Sequence, residues 1–292
     1  LSMLYPFVFI ALSYLFLKPV NDNDIEFADM PGVMKAVLYH PYAETYPQLF
    51  PYIKAVWFLS IVSAFFGCNT LFCLFGFVSM LLIGVFQSMA DIPDWDYVWL
   101  VSNTVAMEFV AFYFLYELIV RKNQLKPEYL HKNRLWMLVF FPFLFWYPVA
   151  TTPDACTWDF SLNSLLFSKG GTCFCYVSPT LLAVLLMYYP HVNRRLVGVL
   201  SMVCSLVGLG AVALFGIYKM YSVVVMHIPL LVISFYGHYL YFFGNEKEEK
   251  EKEKELEEGN GGESQRTVVP HEVGEIFFRL RDDSFLPTEG HG

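Results

Sequence analysis

Two glutamates stand in a long apolar stretch of the sequence, where a carboxylic acid is energetically costly. The stretch covers residues 97–120 and contains no glycine, proline or basic residue. An acid at the centre of a membrane-spanning helix costs about 2.5–3.5 kcal/mol on insertion scales, so it usually faces protein or water. Glu108 lies near the middle of the stretch, and we expect it to have an internal partner or to stay protonated. Glu117 lies near the end, and we expect it to reach the lipid headgroups or Arg121.

A stripe of polar residues follows one line along the last apolar stretch. Its members are His227, Ser234, His238 and Tyr241. On an α-helix their spacing brings them within about 40° of one another, and such a stripe should face the bundle interior or a cavity. Because histidine titrates near neutral pH, we predict that the stripe and Glu108 line a common cavity or form a proton relay. The sequence leaves open an alternative, in which the acid and the histidines are hydrogen bonded between packed helices.

Three of the six cysteines fall on the side of the membrane that we predict to be external. A disulfide from Cys156 to either Cys173 or Cys175 is the candidate, since oxidation is favoured outside the cytosol. No pair of cysteines has the spacing of a zinc site. His40 and Glu44 suit a metal by type, but Pro41 separates them and a third ligand is missing. We therefore predict neither a metal site nor a cofactor.

The composition excludes an ordinary soluble enzyme. The chain has 292 residues, of which 56% are hydrophobic, 18% are aromatic and only 16% are charged, against about 25% charged in soluble domains. The net charge of −8 is concentrated in the tail, because residues 244–292 hold 14 acids and 7 bases. The remaining residues are close to neutral, and the chain has no basic region of the kind that binds nucleic acid.

The apolar segments predict an all-α integral membrane protein with about eight transmembrane spans. The number falls to seven if the first segment is a cleaved signal peptide. Residues 1–243 form the predicted multi-pass transmembrane domain, and residues 244–292 form an acidic, largely disordered tail. The predicted apolar segments are residues 1–17, a hairpin over 53–89 with its turn at 67–70, 97–120, 135–150, 172–189, 196–216 and 221–243.

The loop charges predict one orientation for all of these spans. Cytoplasmic loops are enriched in lysine and arginine, and seven of the twelve bases outside the tail fall on the loops at residues 121–134 and 190–195. Ten of the thirteen acids outside the tail fall on the opposite loops. We therefore predict a cytoplasmic tail, in a protein of the plasma membrane or of an endomembrane.

Three classes of function fit these patterns. The first is a proton-linked transporter or channel for a small solute, and it is favoured by Glu108 and the histidines. The second is a membrane-embedded lipid-modifying enzyme, in which the same acid and histidines serve as base or metal ligands. The third is a seven-span receptor or assembly subunit. The predicted partners are the lipid bilayer, a small solute or lipid, and a protein that binds the acidic tail.

Overall fold

The computed structural model describes residues 4–21, 25–151 and 156–261. The structure is about 75% helical, and its described strands form no closed sheet. The predicted helical class is confirmed at this level. Several of the helices are long and apolar, which fits the predicted integral membrane protein.

The described part of the chain contains ten α-helices, five short strands and six 3-10 helices. The α-helices are α1 (Leu4–Phe16), α2 (Met30–Tyr39), α3 (Phe50–Phe65), α4 (Asn69–Phe86), α5 (Val101–Val120), α6 (Phe141–Phe145), α7 (Leu162–Phe167), α8 (Phe174–Met187), α9 (Arg194–Ile217) and α10 (Tyr221–Gly261). The strands are β1 (Val20–Asn21), β2 (Met89–Ile92), β3 (Asp96–Trp99), β4 (Val149–Thr151) and β5 (Cys156–Trp158). The 3-10 helices are Phe27–Asp29, Tyr42–Glu44, Pro47–Leu49, Pro127–Tyr129, Lys132–Phe140 and Lys169–Thr172.

Five helical segments among the described residues are long and apolar enough to cross a membrane, which is fewer than the eight predicted. A sixth is added if the bent pair formed by residues 162–172 and α8, which meet at 76°, counts as one span. The five segments are Pro47–Phe65, Asn69–Phe86, Val101–Val120, Arg194–Ile217 and Tyr221–Gly244.

The number of membrane-length helices is lower than predicted because three apolar segments do not form long α-helices. A span needs about 20 residues, whereas α1 has 13 residues and α8 has 14. The segment predicted at residues 135–150 forms a 3-10 helix followed by the five-residue α6. Pro142 and Pro148 lie in this segment, and each removes a backbone donor that a continuous helix needs.

The chain between residues 132 and 147 nevertheless runs antiparallel beside α8. Near its start, the Arg134 guanidinium donates hydrogen bonds to the carbonyls of Leu186 and Tyr189, at the end of α8. Near its finish, the centroid of the Tyr147 ring lies 4.9 Å from that of Tyr176, in the first turn of α8. Every residue of α8 is buried, so this helix lies in the core of the described helices.

Helices α4 and α5 pack closely because glycines replace side chains at their contact. A Cβ atom at Gly76 would lie 2.6 Å from the ring of Phe114, and one at Gly84 would lie 3.2 Å from Met107. Small residues of this kind allow two helix backbones to approach each other.

A three-stranded antiparallel sheet with the order β1-β3-β2 supports α2. Val33 and Val37 of α2 share a small buried core with Ala90 and Val98 of the sheet. At the loop that joins α9 to α10, Lys35 of α2 lies 4.7 Å from the ring centroid of Tyr218. The sheet therefore holds α2 near the end of α9.

The chain separates into two units, Leu1–Asn245 and Glu246–Gly292. In the second unit, residues 246–261 are helical and belong to α10. Residues 262–292, which contain most of the predicted disordered tail, lie outside the described residues.

Candidate functional site

A cavity of about 380 Å³ lies in the first unit, and we call it the upper cavity. Its walls come from α1, α2, α5, α8, α9 and α10, together with the 3-10 helix before α8. The walls are mainly apolar, with Leu38, Met107, Val207, Ala211 and Phe215 among them. We call this end of the helices the cavity end, and the opposite end, which carries Lys122 and Arg194, the basic end.

The upper cavity borders the bend between residues 162–172 and α8. Lys169 and Cys173 lie on either side of the turn into α8, and both line the cavity. Backbone that is not helical needs hydrogen-bond partners from the protein when water is absent. Two side chains of α3 supply such partners: the Lys54 amine donates to the carbonyl of Leu165 at 2.7 Å, and the Trp57 indole donates to that of Gly171 at 3.1 Å.

Lys169 brings a charged amine to the wall of the cavity. Its Nζ atom lies 2.7 Å from Oε1 of Glu44, and the two side chains are 12% and 25% exposed. The amine also lies 5.5 Å from the ring centroid of Tyr147, which lines the same cavity. An ion pair with so little exposure is screened weakly by water, so it fixes the wall at this point.

His227 provides the cavity with a hydrogen-bond acceptor. The Val223 carbonyl can only accept, so Nδ1 of His227 carries the proton and donates to it at 2.8 Å. Among the described residues, Nε2 of His227 makes no hydrogen bond. The rings of Phe215 and Tyr176 lie beside it, with centroids 5.8 and 6.4 Å away. His227 can therefore accept a proton or a hydrogen bond from a molecule in the cavity.

Two amide side chains in the cavity wall are held by hydrogen bonds. Asn103 accepts from the Tyr14 hydroxyl at 3.2 Å and donates to the Ser88 hydroxyl at 3.0 Å. The Gln87 side-chain oxygen accepts from the backbone N–H of Phe174 at 2.8 Å, at the start of α8. These bonds fix the orientation of polar groups in an otherwise apolar wall.

Of the five residues predicted to share a cavity, His227 lines the upper cavity and the other four do not. Glu108 is partly exposed and lies beside Gly84 of α4. Ser234 donates to the Leu231 carbonyl at 2.9 Å, and His238 Nε2 lies 3.0 Å from the Ser205 hydroxyl. The backbone carbonyl of Tyr241 accepts from Arg194 Nε at 3.1 Å. The structure thus does not bring Glu108 and the stripe together.

The cysteines of the predicted disulfide also border this cavity. Cys173 and Cys175 line it, and both are free thiols. The side chain of Cys156 lies outside the described residues, so its disulfide stays a prediction. Within the described residues, no three His, Cys, Asp or Glu side chains lie close enough together to hold a metal ion.

Glu117 forms a buried network at the basic end that the sequence analysis missed. Its side chain is fully buried, and its oxygens accept from the Asn123 backbone N–H at 2.5 Å and from Asn193 Nδ2 at 2.7 Å. The Asn123 side-chain oxygen accepts from the Asn193 N–H at 2.6 Å. Glu117 was expected to reach the headgroups or Arg121, but the two asparagines hold it inside. The two asparagines stand in the basic loops at residues 121–134 and 190–195, and this was the feature of the sequence that could have indicated the network.

A second cavity of about 650 Å³ lies between α3, α4 and the 3-10 helix at residues 42–44. Trp57, Phe50 and Leu82 contribute apolar walls to it. At its rim the Tyr42 hydroxyl is hydrogen bonded to Asp91, and this bond raises the pKa of Tyr42 to about 12. Among its described lining residues, the cavity lacks the histidine, lysine and amide side chains that line the upper cavity, which makes it the weaker candidate site.

No protein-family model, curated protein or solved structure matches this chain.

Proposed function

We propose that the protein is an integral membrane protein that binds a small solute in the upper cavity and carries it across the membrane. The observation that supports this proposal is the position of the cavity beside the bend between residues 162–172 and α8. Transporters commonly place their substrate sites at interrupted helices, where irregular backbone lines a cavity. A volume of about 380 Å³ also falls in the range of small-molecule sites, about 300–1,000 Å³.

The proposed solute has a mainly apolar body and one hydrogen-bond donor. The apolar body matches walls such as Leu38, Val207 and Phe215. The donor would form a hydrogen bond to Nε2 of His227, since Nδ1 is already hydrogen bonded to the Val223 carbonyl. Any proton linkage in this proposal belongs to His227, because it is the only member of the predicted relay at the cavity.

The proposed topology has seven crossings. Six are α3, α4, α5, α8, α9 and the apolar part of α10. The seventh is the segment that begins with the 3-10 helix at Lys132–Phe140 and ends with α6. At about 2.0 Å per 3-10 residue and 1.5 Å per α-helical residue, it covers about 25 Å, close to the hydrocarbon thickness of about 30 Å. The irregular backbone of this crossing is tolerated because it runs beside the buried α8.

Cysteine accessibility tests transport without knowledge of the solute. Gly210 lines the upper cavity, and a Cβ atom there meets nothing within 4 Å. Gly216 lies on the same helix with equally open space but does not line the cavity, so it is the matched control. Each variant, Gly210→Cys and Gly216→Cys, is treated with a membrane-impermeant maleimide in sealed vesicles of both orientations. Mass spectrometry then measures labelling at the substituted position, so the native cysteines need not be removed.

A transporter must expose its cavity to each side in turn. We therefore expect Gly210→Cys to react from both sides and Gly216→Cys to react from the cavity end alone. Reaction of Gly210→Cys from the cavity end alone would contradict transport. It would favour the receptor alternative, in which the same cavity binds a ligand without moving it.

A further inference from the structure

A third cavity, of about 590 Å³, lies at the basic end and plays no part in the proposed transport site. It is formed by the residues that follow α5, the first turn of α9 and the part of α10 near Tyr241. Its charged lining consists of Lys122, Arg194 and Arg195, all of which are exposed. We call it the basic pocket.

One of the three cations is already held in position for a ligand. Arg194 donates from Nε and Nη2 to the backbone carbonyl of Tyr241, and its guanidinium carbon lies 4.8 Å from the Tyr241 ring centroid. A guanidinium has five N–H donors, so three remain for another partner. Such a fixed planar fork matches the oxygens of a phosphate group.

The carboxylate of Glu117, which is hydrogen bonded to a residue of the pocket lining, is already engaged. Glu117 accepts from Asn123 and Asn193, the second of which lines the basic pocket. Among the described side chains, no carboxylate forms an ion pair with Lys122, Arg194 or Arg195. The pocket therefore concentrates positive charge that a bound anion would neutralise.

The surface beside the pocket is apolar. Phe242 lines the pocket and is 59% exposed, and Phe243 next to it on α10 is 57% exposed. On α5, Ile119 and Val120 precede the loop that carries Lys122 and are 74% and 38% exposed. A ligand with an anionic head and apolar chains would match both the pocket and these flanking faces.

We propose that the basic pocket binds the phosphate group of an anionic phospholipid whose acyl chains lie along α5 and α10. Basic pockets between transmembrane helices on the cytoplasmic side bind such headgroups by charge-assisted hydrogen bonds. The proposal requires a membrane protein but is independent of transport. Free phosphate has the same head chemistry without the chains, and the experiment separates the two.

The test uses the full chain in nanodiscs of phosphatidylcholine, with and without phosphatidylglycerol, and counts bound lipids by native mass spectrometry. The double variant Lys122→Gln/Arg195→Gln removes two charges from the pocket. The control Lys126→Gln/Lys132→Gln removes two charges from the loop that follows α5, at exposed positions outside the pocket. Each lost charge-assisted hydrogen bond is worth about 1.5 kcal/mol, about tenfold in affinity. We expect about a 100-fold loss of phosphatidylglycerol affinity in the pocket variant and no loss in the control.

Three outcomes would overturn the proposal. Equal losses in both variants, or no loss in either, would mean that the pocket is not a headgroup site. Displacement of the bound species by millimolar inorganic phosphate would assign the pocket to a free anion. Lys122→Gln alone, at an exposed loop position, repeats the test with about a tenfold expected loss if the double variant does not fold.

Discussion

Glu117 and Glu108 lie on the same helix, but their surroundings predict that substitution has a large effect on stability at Glu117 and a small one at Glu108. Glu117→Gln would place an amide donor against the Asn123 N–H or the Asn193 amide, which already donate to the carboxyl oxygens. A buried donor left unsatisfied costs about 1–3 kcal/mol, so we expect Glu117→Gln to lower the free energy of unfolding by that amount. Urea unfolding in detergent micelles measures the change.

Glu108→Gln is the matched control, because Glu108 is partly exposed and makes no hydrogen bond to a described residue. We expect it to change the free energy of unfolding by less than about 0.5 kcal/mol. Equal effects of the two substitutions would show that the asparagine network does not stabilise the protein.

The sequence singled out Glu108 because the position of a residue along an apolar stretch predicts its depth in the membrane. The burial of Glu117 depends on two asparagines that come from distant loops.

The polar stripe on α10 shows which part of the site helical periodicity can predict. Three of its members meet α9: His227 lies near Phe215, His238 contacts Ser205, and the Tyr241 carbonyl binds Arg194. The stripe therefore faces a neighbouring helix. Only the residue nearest the cavity end reaches the upper cavity. Helical spacing predicts which face of the helix a side chain lies on. It does not predict at which depth in the bundle a cavity forms.

At the scale of elements, the sequence predicted the long helices α3, α4, α5, α9 and α10 but not the strand pairings. The predicted hairpin turn at residues 67–70 matches the break between α3 and α4, where Gly67 has a φ of +84° that favours glycine. The central helix was predicted from residue 97 but begins at Val101, because Asp96–Trp99 pairs with β1 and β2. β1 is far from β3 in the sequence and leaves no local signal, whereas β2 and β3 form a local hairpin that the prediction missed.

The bend before α8 depends on a buried lysine of α3 that lies near the start of the predicted hairpin. Lys54 lies buried in α3 and donates to the carbonyls of Leu165 and Leu166 and to the Ser168 hydroxyl. Hydrogen bonds from a charged group are worth about 1.5 kcal/mol or more. We expect Lys54→Met to speed amide hydrogen exchange of residues 162–172 by about tenfold or more. Exchange measured by mass spectrometry in nanodiscs tests this.

Lys126→Met serves as the control for the loss of a lysine. Its amine lies 3.7 Å from Glu128, and both side chains are more than half exposed, so the pair contributes little. Exchange of residues 162–172 should be unchanged in this variant. If Lys54→Met also leaves that exchange unchanged, Trp57 and the Lys169–Glu44 pair hold the bend without Lys54.

At the scale of the whole molecule, the separation of charge predicts which end faces the cytoplasm. Lys122, Arg194 and Arg195 surround one pocket at the basic end. Among the described acids, Asp29 directly precedes α2, and Asp91 and Asp96 lie in the sheet. Lysine and arginine are retained on the cytoplasmic side. The natural sequence has no Asn-x-Ser/Thr acceptor, so an introduced acceptor reports orientation without background.

Two single substitutions create such acceptors at positions that the loop charges predict to lie on opposite sides of the membrane. Ala43→Asn forms one with Glu44 and the exposed Thr45 near the cavity end, and Gly262→Thr completes one with Asn260 in the tail. Since glycans are added only on the lumenal side, we expect Ala43→Asn to gain a glycan that endoglycosidase removes, seen as a gel shift in eukaryotic cells. Gly262→Thr should stay unmodified. The reverse pattern would place the basic pocket outside the cell or in the lumen. The proposed phospholipid site would then face the leaflet that is poorer in anionic lipid, so the orientation result also bears on the basic pocket.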